Sequence, residues 1–338
     1  MNPARPLITW YEANGRDLPW RRTKDPYKIW LSEIMLQQTR IDQGLGYYLR
    51  FTERFPTVHD LAAADHDEVM KYWEGLGYYS RARNLHHTAK VVSQERGGQF
   101  PDTWQELIKL KGIGPYTARA IGSIAFGNKA AVIDGNVFRV LSRLRADFSP
   151  IDLPETRRNF QEILDAWVQD IDAAQFNQAI MDLGAMVCTP KKPQCPFCPL
   201  AQQCKSNAEG IAEQLPVKAK KTKRKTQHLN FFLVGLDEGK VLVRRRPMSG
   251  IWAGLWEIPS VEVEEKAWNR ADLEGYALQG AFKHVLTHID MMIKVYRGSA
   301  LPEGLEEDVE GIPVADVEKY AFSRAVLKIF ERYLPVID

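Results

Sequence analysis

The arrangement of apolar and polar positions along the chain changes character once. Before residue 215 it reads as helical. Asp25 and Pro26 form an N-cap and first-turn pair for a helix in DPYKIWLSEIMLQQ. Further helices are expected in TVHDLAAADHDEVMKYWEGLG, SRARNLHHTAKVVSQERGG, TWQELIKL, PYTARAIGSIAFG, GNVFRVLSRL, TRRNFQEILDAWVQDI and AAQFNQAIMDLGAMVC, with Gly and Pro at the joins. Beyond residue 227 short strands take over, in LNFFLVGLD, KVLVRRR and MMIKVYRG, and one helix closes the chain in AFSRAVLKIFERYL. Between the two patterns lies LPVKAKKTKRKTQ, residues 215–227. Six of the eight residues from Lys218 to Lys225 are basic, and no apolar period runs through them. It reads as an exposed linker. The expected organisation is an all-α domain over 1–214, a basic linker over 215–227 and an α+β domain over 228–338.

Composition bounds this picture without changing it. A hydrophobic fraction of 45% in 338 residues is enough for the cores of two or three domains. The formal net charge of +2 hides an asymmetry: residues 1–227 carry 32 basic and 25 acidic side chains, whereas 228–338 carry 13 and 18. A basic front part suits nucleic acid; the acidic rear part does not add to that field. MNPARPLITWYEANG lacks the apolar region of a secretory signal, and no later stretch approaches transmembrane length. A soluble cytosolic chain with reduced thiols is expected, and no membrane partner.

All four cysteines fall within CTPKKPQCPFCPLAQQC, at Cys188, Cys195, Cys198 and Cys204. Four in a chain of this length are too few for a disulfide scaffold. Clustered reduced thiols bind metal, and two kinds compete. Structural zinc takes two close pairs set apart, and only Cys195 and Cys198 form such a pair. One compact run of four thiolates suits a [4Fe–4S] cubane. With four protein ligands a cluster has no open position, so its role is structural or electron-carrying. Lys191 and Lys192 sit on the tether between the first two cysteines, presented either to a phosphate backbone or to solvent.

In LKGIGPYTARA (110–120), Gly112 and Gly114 bracket Ile113 between two helical stretches. That is a tight hairpin whose amides precede a helix N-terminus, an arrangement that grips a phosphate without reading sequence. Gly-x-Gly alone is weak, but VIDGNVFRVLSRL follows it, and then the four cysteines.

With RDLPWR (16–21), SEIMLQQTR (32–40) and GLGYYSRAR (75–83), these motifs make the chain resemble the helix–hairpin–helix DNA glycosylases that carry an iron–sulfur loop. Within that family the match is to the adenine-excising branch, over essentially the whole chain. The resemblance implies a monomeric base-excision enzyme of the bacterial cytosol. Its partner is double-stranded DNA holding adenine mispaired with 8-oxoguanine or G. The related endonuclease III branch carries a lysine where Tyr116 stands, and a tyrosine cannot form an imine, so strong lyase activity is not expected. A non-enzymatic iron–sulfur DNA-binding module is the other alternative, opposed by the two carboxylates described next.

Glu33 lies among Trp30, Ile34, Met35 and Leu36, neighbours that raise a carboxyl pKa as a general acid requires. Asp134 precedes a helix and could simply cap it; the resemblance also turns it toward the sugar, with Tyr116 and Asn136 in support. Gln178 resembles the position that holds the flipped adenine through N6 and N7. Arg16, Trp20 and Leu36 match pocket residues, although Trp20 and Leu36 could equally be core. Gln38 and Tyr78 match residues inserted into the duplex. The rear domain, with SGIWAGLWEIPS, looks like a Nudix or MutT-type fold. It lacks the R-E-x-x-E-E helix of the hydrolases, so a recognition module is expected. There Leu286, Thr287 and His288 stand where the family probes 8-oxoguanine, commonly with Phe-Ser-His.

Overall fold

The computed structural model describes residues 2–219, 224–236, 239–269 and 273–334, so residues 220–223 of the expected linker lie outside the described residues. The chain forms two compact units. One comprises residues 1–44, 52–62 and 87–221; the other 45–51, 63–86 and 222–338.

The first unit is all-α. The helix Pro26–Met35 starts as its sequence predicts: Asp25 accepts a hydrogen bond from the Tyr27 amide at 2.9 Å, and Pro26 occupies a position where no amide is needed. Helices Ala4–Asn14, Gly135–Arg145, Pro154–Trp167 and Ala173–Met186 share a core around Leu7, Phe138, Leu141, Phe160, Phe176 and Leu183. Each buried aromatic or leucine contributes about 1.5–3 kcal/mol. Gly184 is required for one approach: a Cβ there would lie 2.7 Å from that of Asn136. Two long helices escape the sequence reading, Ala4–Asn14 and Ile41–Arg54. Pro6 stands near the start of the first, and Gly44 and Gly46 lower the propensity of the second. The stretch at 57–77 is not one helix; it breaks into Val58–Ala63 and His66–Tyr72.

The second unit contains a mixed sheet. Its strands are β1 (Lys225–Leu236), β2 (Lys240–Arg245), β3 (Trp256–Glu257), β4 (Ser260–Val263), β5 (Ala277–Val285), β6 (Ile289–Gly298) and β7 (Val309–Pro313). The order is β3-β2-β1-β6-β5, with β4 also on β1 and β7 on β2. β1 and β6 run parallel from Lys225↔Ile289 to Val234↔Gly298, and β5 turns back antiparallel onto β6. The helix Arg324–Tyr333 lays Val326, Ile329 and Phe330 on Phe231, Val241 and Ile293. Helical residues 63–86 belong to this unit: the Tyr79 hydroxyl donates to Phe322 O, and Glu74 accepts from the Phe322 amide at 2.8 Å. Among the described residues no helix is long and apolar enough to cross a membrane.

Candidate active site

A cavity of about 550 Å³ opens in the first unit. Glu33 reaches it from the second half of Pro26–Met35, Tyr116 from the first turn of Pro115–Phe126, and Gln178 from Ala173–Met186. Asp134 and Asn136 enter at the start of Gly135–Arg145. Arg16, Trp20 and Leu36 complete the wall among the expected residues. Trp20 is 7% exposed, so it serves the core and the cavity together.

Desolvation pushes the Glu33 carboxyl up to about 7; the hydrogen bond from Tyr116 opposes this, the Asp134 charge adds to it, and Arg21 works against it. The group is therefore poised to carry a proton near neutral pH. Burial, reinforced by the charges of Glu33 and Asp134, holds the Tyr116 phenol well above its usual range. It stays a neutral hydroxyl.

Asp134 both caps and faces the cavity. Its Oδ1 accepts from the Val137 amide at 2.7 Å and its Oδ2 from Asn136 Nδ2 at 2.9 Å. Asn136 Oδ1 in turn accepts from Arg139, whose guanidinium also donates to Gly184 O and Cys188 O at 2.6 and 2.7 Å. A continuous polar chain thus joins the carboxylate to the cysteine loop.

Several residues of the site gave no signal in the sequence. Asp182 is fully buried and accepts from Arg16 and Arg21, the latter at 2.7 and 2.8 Å. The hydrogen bonds hold its carboxyl below the usual range despite burial. Arg16 is thereby fixed at the cavity wall, with Arg21 beside it. Arg21 stands in RDLPWR and could have been found there. Asp182 could not, since its partners lie more than 160 positions away.

The four cysteines line one small cavity with Arg143, and all are unpaired as disulfides. The side chains are near enough that charge on Cys188 and Cys204 raises the Cys198 and Cys195 thiols further, after burial. Among the described residues no group of three His, Cys, Asp or Glu could hold a single metal ion. The donor set is four sulfurs around a common space, which an iron–sulfur group fits. Arg143, 2% exposed, donates to Cys188 O, Cys188 Sγ, Thr189 O, Pro190 O and Leu215 O. Arg143→Ala strands these carbonyls. We expect it to lower unfolding stability by about 3 kcal/mol or more, read by urea denaturation.

Lys191 and Lys192 project from this loop. Lys192 takes a left-handed conformation (φ +50°), and its amide donates to Glu213 at 2.9 Å. In the hairpin, Gly112 has φ +81°, which a side chain would resist, and Gly114 caps the helix that carries Tyr116. Gln38 is also left-handed, at φ +57°, just past Leu36. None of these residues lines the cavity.

Tyr78, Leu286, Thr287 and His288 belong to the second unit, around a hollow of about 400 Å³. Residues 286–288 form the tight turn between β5 and β6, with the Leu286 amide donating to Ile289 O at 2.8 Å. The Thr287 hydroxyl is hydrogen-bonded to that of Tyr78, itself left-handed at φ +47°. Leu286 packs against the sheet core, and the exposed apolar side chain of this turn is Val285, at 57%. Arg224 donates to Leu286 O at 2.7 Å and pairs with Asp290, fixing the turn from the strand side.

Residues 31–166, which hold Glu33, Tyr116 and Asp134, match the HhH-GPD superfamily of base excision DNA repair proteins, and residues 230–332 match the NUDIX domain. An adenine DNA glycosylase of Buchnera aphidicola subsp. Baizongia pistaciae (strain Bp) is 35% identical over 297 residues, covering 85% of this chain and 83% of that protein. The chain belongs to the adenine DNA glycosylase family. An adenine DNA glycosylase of Arabidopsis thaliana is 38% identical over 77% of the chain, which spans 48% of that protein. The structure of a thermostable thymine-DNA glycosylase superposes with a TM-score of 0.57 at 30% identity, covering 61% of this chain and 95% of that one. As an adenine DNA glycosylase family member, the chain is a base-excision repair enzyme acting on N-glycosyl bonds, with a helical glycosylase domain followed by a Nudix-like one.

Proposed function

We propose that the enzyme removes adenine mispaired with 8-oxoguanine, or with G, from duplex DNA by acid-catalysed cleavage. The observation that carries this is the protonatable Glu33 on one cavity with Asp134, Tyr116 and Gln178. The adenine leaves the stack and enters the cavity, where Gln178 holds its amino edge. Glu33 gives its proton to N7, making the base a better leaving group. Asp134, held by Asn136, stabilises the positive sugar or traps it covalently. Tyr116, neutral and beside Glu33 and Asp134, positions the pair. Water then adds at C1′, giving up a proton and releasing Asp134; with no lysine at this position to attack the sugar, the product is an abasic site with an intact strand.

The cysteine loop is proposed to hold a [4Fe–4S] cluster, which when bound supplies a rigid cross-link across residues 188–204. The hairpin at Gly112 and Gly114, Gln38 and the Lys191–Lys192 tip are proposed to contact the DNA, and the Nudix-like domain to read the lesion without hydrolase activity. The decisive assay incubates labelled duplexes with adenine opposite 8-oxoguanine, adenine opposite G, or thymine glycol. Cleavage of the adenine strands only after hot alkali supports this reading. Direct nicking at thymine glycol refutes it.

8-Oxoguanine differs from guanine by an N7–H donor and an O8 acceptor, which Thr287 and His288 are proposed to meet. Thr287→Val with His288→Ala should cut the preference for adenine opposite 8-oxoguanine over adenine opposite G about tenfold. Excision opposite G should be nearly unchanged in single-turnover comparison.

A further inference from the structure

Gln178 has a neighbour that the reaction as proposed does not use. The Tyr11 hydroxyl, on the helix Ala4–Asn14, donates to Gln178 Oε1 at 2.5 Å. Among the described residues the Gln178 Nε2 has no protein partner, and its side chain lines the cavity. A primary amide can turn over by 180° and exchange its carbonyl and its amine. Here it is not free to do so. Turned over, Nε2 would donate to the Tyr11 oxygen, and the phenolic proton would turn away and lose its acceptor. The Arg21 guanidinium, 5.5 Å above the Tyr11 ring and anchored on Asp182, offers the hydroxyl no acceptor either.

We infer that Tyr11 is a specificity-determining residue that locks the polarity of the Gln178 amide, and so selects adenine against 6-oxopurines. The inference rests on the reading of this cavity as the adenine pocket. Oxygen carries two acceptor directions, and Tyr11 fills one. The second, with the free Nε2, presents an acceptor beside a donor. On the N6–N1 edge of adenine, which leaves N7 to Glu33, an amino donor adjoins a ring acceptor, and the locked amide matches it. Guanine and hypoxanthine place O6 at the same point, so oxygen meets oxygen. An unlocked amide would turn and offer its amine to O6. Tyr11 removes that option, and it does so from outside the cavity wall, without touching the base.

Hypoxanthine is the probe, because it carries O6 without the extra amino group of guanine. Single-turnover rates are measured for the full-length protein on duplexes with adenine or hypoxanthine opposite 8-oxoguanine. Tyr11→Phe keeps the ring and removes the lock. The ratio of adenine to hypoxanthine excision is expected to fall about tenfold, the scale of one hydrogen bond exchanged for a repulsion. In the Gln178→Ala background the same substitution should leave the ratio unchanged, because no amide remains to orient. A merely structural loss would instead slow both bases alike in both backgrounds. An unaltered ratio for Tyr11→Phe, or an equal change with and without Gln178, overturns the inference while adenine excision by the parent still stands. A parent that excises no adenine overturns the pocket reading itself, and the inference with it.

Discussion

Glu33→Gln is expected to lower adenine excision by about a thousandfold or more while leaving mismatch binding close to that of the parent. Glutamine keeps the shape and can still accept from Tyr116, but it has no proton to give. Two pH effects follow from a carboxyl raised from 4.5 to about 7. The parent rate should fall roughly tenfold per unit once pH rises well above 7, because the acid must be protonated. Stability runs the same way. The folded state binds the Glu33 proton more tightly than the unfolded chain does, so this group contributes stability fully below about 4.5. The contribution is lost as pH rises toward 7. Glu33→Gln removes that loss. Its melting temperature relative to the parent should therefore be higher at pH 8 than at pH 5. A variant that cleaves at the parent rate, or shows no such crossover, would remove Glu33 from the role of acid.

Asp134→Asn separates capping from chemistry. The carboxylate accepts from the Val137 amide and from Asn136 Nδ2. Asparagine is as good a helix cap as aspartate, so the Val137 bond survives. Its own amine then faces that of Asn136, and one of the two bonds is lost, at about 1 kcal/mol. What disappears entirely is the carboxylate that is proposed to face the sugar. Excision is expected to drop on the order of a thousandfold with a melting shift of only a few degrees. A large loss of stability with a matching modest loss of rate would instead make Asp134 a cap and nothing more.

The contrast between these two residues shows what the sequence could carry. Glu33 and Asp134 were legible because each stands in a local motif whose neighbours define it. Helix Gly135–Arg145 and strands β1, β2 and β6 were legible for the same reason, as runs of buried residues. β5 was not: its residues are exposed or half-buried throughout, so ALQGAFKHV shows no apolar face. Asp182, Arg143 and Tyr11 were illegible for a different reason. Each acts through a partner 45 to 167 positions away, and a lone Asp, Arg or Tyr carries no mark of that partner. Leu286 shows the limit within a motif. Its position in the turn was readable, but not that it folds inward while Val285 stays out.

Helical residues 63–86 pack with the sheet of the second unit, where Tyr79 and Glu74 hold Phe322. This bears on how the gene can be cut and recombined. The basic stretch at 215–227 invites a junction, yet a fragment that begins there leaves behind the helices that complete its fold. A chimaera that takes its rear domain from a relative should take residues 63–86 from that same relative. Crossovers placed only at the stretch would pair Phe322 with a foreign Glu74 and Tyr79, and their yield of folded protein would depend on how well those strangers fit.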